Sequence, residues 1–199
     1  MPYEAKNFDG ILGTAGLSDT LLKNHFTLYQ GYVTNTNKLW DGMAALMKDG
    51  KTGTPEYAEM KRRFGWEFDG MRLHELYFGN IAKSGTKPDA AAKLMKKIAE
   101  DFGAYANWEA DFRAVGAMRG IGWAVLYYDF MGKRLFNCWI NEHDAGHLAT
   151  CVPVLIMDIF EHAWMPDYGL KRADYIGAFM KAVDWKAAEM RFGMASSVK

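Results

Sequence analysis

The sequence predicts an α+β fold: an N-terminal antiparallel helical hairpin, then a C-terminal part with a three-stranded antiparallel sheet. Three observations carry this. Apolar residues recur at helical spacing through most of the first 118 positions. Three short segments rich in β-branched and aromatic residues follow, and helical spacing then returns. Like elements are grouped rather than alternating as βαβ units, which argues against a parallel doubly wound sheet.

The elements follow in order. Ser18 or Asp19 can cap a first helix over 18–48, "LLKNHFTLYQGYVTNTNKLWDGMAALM". "KDGKTGTP" breaks it with Gly and Pro, and a second helix runs from Pro55 to about Ile81. Two long helices joined by a short polar break predict a hairpin. "KSGTKPD", near 83–89, reads as a linker. Helical spacing resumes in "AAAKLMKKIAEDFG" and again from Asn107 to about Met118. "GWAVLYYDF", "KRLFNCWIN" and "CVPVLIMD" read as strands, the first two joined at "MGK". "RADYIGAFMKAVDWKAAEMRF" reads as one closing helix.

Composition narrows the class. Half of the 199 residues are hydrophobic and 15% aromatic, ample for a packed core. Lys plus Arg and Asp plus Glu are 24 each, so no charge excess points to nucleic acid or an anionic membrane. The N-terminus has no basic stretch before a long apolar core, and the expected location is cytoplasmic. The two cysteines, Cys138 and Cys151, form no CxxC pair and read as small buried hydrophobes.

Chemistry concentrates in the five histidines. His25 shares a helix face with Tyr29 and Tyr32. That is an aromatic core stripe or a metal ligand with tyrosines lining its approach. His74 follows Gly70 by one turn. A mid-helix Gly costs about 1 kcal/mol relative to Ala, so either close helix packing or room over a metal must compensate. Asp158 and His162 are four apart across a strand-to-helix turn, with Glu161 between them as a turn residue. His143 and His147 form HxxxH among Gly, Asp and Asn, and a surface loop is the default reading for both. Three imidazoles and one carboxylate would suit Fe, Mn, Cu, Ni or Zn better than Mg or Ca.

Four segments together resemble the iron/manganese superoxide dismutase family. "DIFEHAWMPDYGLKRADYIGAFMKAVDW" is similar to its D-x-W/F-E-H-A-Y-Y…Y…R-x-D-Y signature. "GIGWAVLYYD", "RRFGWEFDGMRLHELYFGNI" and "HFTLYQGYVTNTNKL" resemble its G-S-G-W segment and its two ligand helices, in the right order over nearly the whole chain. The resemblance implies a helical hairpin domain (1–84) and an α/β domain (85–199), with the metal at their junction. It implies His25, His74, Asp158 and His162 as ligands of Fe, or alternatively Mn. It implies superoxide as substrate, and a homodimer or tetramer in which Glu161 hydrogen-bonds the partner's ligand histidine. Many members place a Gln where Gly70 stands; here the resemblance implies His143 as partner of the bound solvent, filling the space Gly70 leaves, with His147 as runner-up. Tyr32 matches the family's gateway tyrosine, and Trp123 and Trp164 match aromatic walls.

Three departures stand out. His25 precedes Tyr32 by seven residues rather than eight, Tyr29 or Gln30 replaces the usual second His, and Met165 stands where the family has a tyrosine of the substrate funnel. Lys171 and Arg172 offer a local positive potential for an anion, or merely an exposed pair at a helix start. The expected function is a superoxide dismutase. The alternatives are a metal-binding family member with another redox role, and a helical interaction module with a satisfied His/Tyr core.

Overall fold

A computed structural model describes residues 1–198. Helix α1 spans Asp19–Lys48 and α2 spans Pro55–Phe78. Each start is set locally: Ser18 Oγ accepts the Leu21 N–H at 3.1 Å, and Thr54 Oγ1 accepts the Tyr57 N–H at 3.3 Å ahead of Pro55. The two helices pack side by side, and Leu21, Leu22, His25 and Val33 of α1 and Met71 and His74 of α2 are buried. Helices α3 (Lys93–Phe102) and α4 (Tyr105–Ala117) lead to strands β1 (Trp123–Asp129), β2 (Arg134–Ile140) and β3 (Cys151–Asp158). A four-residue helix α5 (Met165–Tyr168), then α6 (Arg172–Ala182) and α7 (Trp185–Ser196), complete the described chain.

The sheet is antiparallel in the order β2-β1-β3. The first six residues of central β1 are buried, so both its faces are covered. Helices α3, α4 and α7 pack against the sheet, and α2 reaches β3. Pairing shifts between Leu126 and Tyr127, leaving one extra β3 residue where Pro153 sits on an edge strand. Trp123 pairs with both Ile140 and Asp158. The start of β1 and the ends of β2 and β3 therefore meet at one end of the sheet, and that end carries the site.

The structure revises several boundaries. Helix α2 ends at Phe78 rather than Ile81, α4 begins at Tyr105 rather than Asn107, and the closing helix is two helices. The revisions at 81 and 183 share a cause. Ile81 pairs with Val183, the Ala82 N–H reaches the Ala182 carbonyl at 2.9 Å, and the Asp184 N–H reaches the Asn80 carbonyl at 2.6 Å. This extended pairing ends α6, after which the Asp184 side chain caps α7. Cys138 and Cys151 are free and only partly buried. No helix among the described residues is long and apolar enough to cross a membrane.

Candidate metal centre

Four side chains from distant parts of the chain converge at the end of the sheet. His25 comes from α1, His74 from α2, Asp158 from the last position of β3, and His162 from a 3-10 turn over Glu161–Ala163. One potential ligand atom from each lies within 4.8 Å of every other. Asp158 Oδ2 lies 3.1 Å from His25 Nε2, 3.3 Å from His162 Nε2 and 3.6 Å from His74 Nε2. The side chains of His25, His74 and Asp158 are fully enclosed, and that of His162 is 26% exposed.

The backbone orients the donors. His74 Nδ1–H donates to the Gly70 carbonyl at 2.5 Å, which leaves Nε2 as the bare nitrogen. That buried Nε2 has no hydrogen-bond partner among the described residues. An unpartnered lone pair aimed at a buried carboxylate and two further imidazoles is what a bound cation would satisfy. Asp158 is held at both ends: Oδ1 accepts the Phe160 N–H at 2.8 Å, and its carbonyl accepts the Tyr175 hydroxyl at 2.6 Å. Tyr77 backs Tyr175 at 3.1 Å.

Burial lowers the pKa of His25 and drives that of His74 well below the ordinary value. Burial opposes the Asp158 charge, but His162 and His25 more than offset it and hold the carboxyl well below the carboxylate range. Near neutral pH His25 and His74 are thus neutral and Asp158 is an anionic carboxylate; with His162 they make a nitrogen-rich donor set that fits iron or manganese.

An aromatic layer closes over this group. Trp123 Nε1–H donates to His143 Nδ1 at 3.1 Å, so His143 Nε2 carries the hydrogen and donates to Tyr32 Oη at 2.8 Å. Burial lowers the His143 pKa to about 4 and raises that of Tyr32. The Tyr32 ring stacks on His74 at 5.1 Å. Phe160 lies 4.7 Å from His143 and stacks on His162 at 5.4 Å. Trp66 lies 4.7 Å from His143 and 5.4 Å from Tyr32, and its indole N–H reaches Glu142.

Several expected placements change. The space above Gly70 holds the Tyr32 ring rather than His143: a Cβ at Gly70 would lie 2.6 Å from Tyr32 Cδ1. His143 is not a surface residue but fully buried. His147 does not join the ring cluster around the four residues; it contacts Tyr127 and the His143 carbonyl. Tyr29 turns from the site and donates to Glu75 Oε1 at 3.0 Å, while Gln30 is exposed. Trp164 points its N–H at the Ile159 carbonyl, with Arg172 over its ring at 5.2 Å. Arg172 also donates to the Met118 and Gly120 carbonyls, which ties it to a loop. Glu161 is exposed beside His162. Sequence patterns did not single out Phe160 and Trp66. Trp66 had a signal, since Trp66, Gly70 and His74 repeat every four residues along one face of α2.

A buried carboxylate and three imidazoles, two from a helical hairpin, one from the end of an antiparallel sheet and one from the turn after it, define a mononuclear metal-site protein of α+β class. Residues 90–191 match the family model "Iron/manganese superoxide dismutases, C-terminal domain". The chain is 35% identical over 197 residues to the manganese superoxide dismutase 2 of Haloferax volcanii, covering 98% of this chain and 94% of that protein. It is 34% identical over 185 residues to the iron superoxide dismutase of Aquifex aeolicus (90% and 86% covered), and 36% over 185 residues to that of Cupriavidus metallidurans (90% of each). The chain belongs to the iron/manganese superoxide dismutase family.

Proposed function

We infer that this chain is a superoxide dismutase, with iron as its resident metal and manganese as the alternative. The observation that carries the reading is the enclosed group of His25, His74, Asp158 and His162, whose facing donor atoms include an unpartnered His74 Nε2. These four would hold the metal where the hairpin (1–84) meets the α/β unit (85–199). When bound, the metal supplies one-electron exchange: one superoxide gives up an electron and leaves as dioxygen, and a second takes that electron with two protons and leaves as hydrogen peroxide.

The protein's own groups do the rest. Tyr32, with its pKa raised by burial, and neutral His143 each keep a hydrogen beside the site across the physiological range. Trp123 fixes which His143 nitrogen carries it. Phe160, Trp66 and Tyr32 keep bulk water from the His143 and His74 faces. Glu161, exposed beside the partly open His162, would hydrogen-bond the corresponding histidine of a second protomer in a cytoplasmic homodimer, raising that imidazole's basicity.

The test is superoxide turnover by protein loaded separately with iron and with manganese. Turnover with iron supports the reading, and turnover only with manganese corrects the metal. Full occupancy without turnover for either metal overturns it in favour of a family member with another redox role.

A further inference from the structure

We propose that His147 is a positioning residue: it seats His143 and, through it, the hydrogen-bonded pair His143–Tyr32 that faces the four-residue group. Strand β1 presents Trp123 and Tyr127, four residues apart on one face, and the loop after β2 presents His143 and His147, also four apart. Each aromatic residue holds one imidazole. Trp123 Nε1–H donates to His143 Nδ1 at 3.1 Å, and the Tyr127 hydroxyl lies 2.6 Å from His147 Nδ1.

His147 then acts on its neighbour's main chain. Its Nε2 lies 2.7 Å from the His143 carbonyl. A carbonyl only accepts, so Nε2 carries a hydrogen, and Nδ1 faces the Tyr127 hydroxyl. Asp69 Oδ2, on α2 next to Gly70, lies 3.7 Å from the same Nε2. His147 therefore bridges the sheet, the loop and the helix that carries His74.

The loop needs such a hold. Glu142, immediately before His143, sits at φ 56°, and Gly146 at φ 98°. A non-glycine residue in the left-handed region is disfavoured unless its surroundings over-determine it. The His143 side chain is tied to Trp123 and Tyr32; the Asn141–Ala145 bridge closes the loop's main chain around it, and the His143 carbonyl is tied by His147. With the latter tie gone, the loop can relax at Glu142 and turn His143 Nε2 away from Tyr32.

The experiment compares His147→Phe, His147→Gln and Tyr127→Phe with the wild type in the iron-loaded protein. It reads iron per chain, the reduction potential of the bound iron by mediated titration, and superoxide turnover. His147→Phe should keep its iron, shift the potential in the same direction as His143→Ala but by less, and cut turnover about tenfold, in the range for removing a residue that orients a metal site's neighbours. Glutamine keeps a donor near the Nε2 position, so His147→Gln should recover most of the potential. Tyr127→Phe should give a smaller shift of the same sign, and these two variants carry the test if phenylalanine is not tolerated. An unchanged potential in all three variants, or iron loss in His147→Phe, overturns the proposal. The turnover arm rests on the dismutase reading, whereas the potential needs no superoxide. A wild type without turnover would therefore remove that reading while still testing His147.

Discussion

Gly70→Ala reads the contact between the two helices directly. At an unconstrained mid-helix position, alanine in place of glycine stabilises by about 1 kcal/mol. Here the new Cβ would meet the Tyr32 ring at 2.6, 2.8 and 3.0 Å, against an optimal carbon–carbon separation of about 3.5–4.0 Å. The ring must retreat by about 1 Å, and its neighbours oppose that. It stacks on His74 at 5.1 Å, lies 5.4 Å from Trp66 and accepts the His143 hydrogen at 2.8 Å. Overpacking costs about 1–3 kcal/mol, and a strained or lost hydrogen bond about 1 kcal/mol. After the helix gain, Gly70→Ala should be about 1–3 kcal/mol less stable than wild type in urea unfolding at matched metal content. Its superoxide turnover should fall by about tenfold or more, because Tyr32 and His143 move together. Adding Tyr32→Ala should remove the clash, making the alanine at position 70 neutral or stabilising in that background. A Gly70→Ala protein about 1 kcal/mol more stable than wild type, with unchanged turnover, would refute the reasoning.

Asp158→Ala removes the only carboxylate of the group and leaves three converging imidazoles; elemental analysis should find its metal largely lost while His143→Ala keeps most of its own. Acid should destabilise the metal-free protein through His143. Its folded pKa is lowered to about 4 against 6.5 unfolded, so the unfolded chain binds more protons between these values and stability falls as pH drops. From pH 7.5 to 5 this amounts to about 2 kcal/mol, and His143→Gln should show that much less loss in urea titrations at the two pH values. Glu161→Ala should weaken self-association and metal retention together; an unchanged sedimentation profile would remove Glu161 from an interface between protomers.

The hairpin and the strands were legible because period 3.6 and short β-rich runs are local signals. The break at Val183 was not, because apolar spacing continues through "AFMKAVDW" and the cause is pairing with Ile81 about a hundred residues away. The same division holds at the site. Position 32 lies about 20° from His25 on a helical wheel and position 29 about 40° to the other side, so the two tyrosines diverge. Tyr32 turns to His74, and Tyr29 turns to Glu75. Sharing a face was readable from spacing, but which tyrosine meets the histidines depends on where α2 lies. The polar texture of "NEHDAGH" suggested a surface loop, yet His143 is buried because Trp123, Phe160 and Trp66 surround it from three other segments. Gly70 announced a close approach but not its occupant.

The central claim is that one redox metal, held by His25, His74, Asp158 and His162, turns over superoxide. Titrating metal-free protein with iron while following both bound iron and superoxide dismutation tests it most directly. Turnover should rise in proportion to bound iron and saturate at one metal per chain. Saturation at that ratio without turnover, or turnover that persists when Asp158→Ala binds no metal, would contradict it.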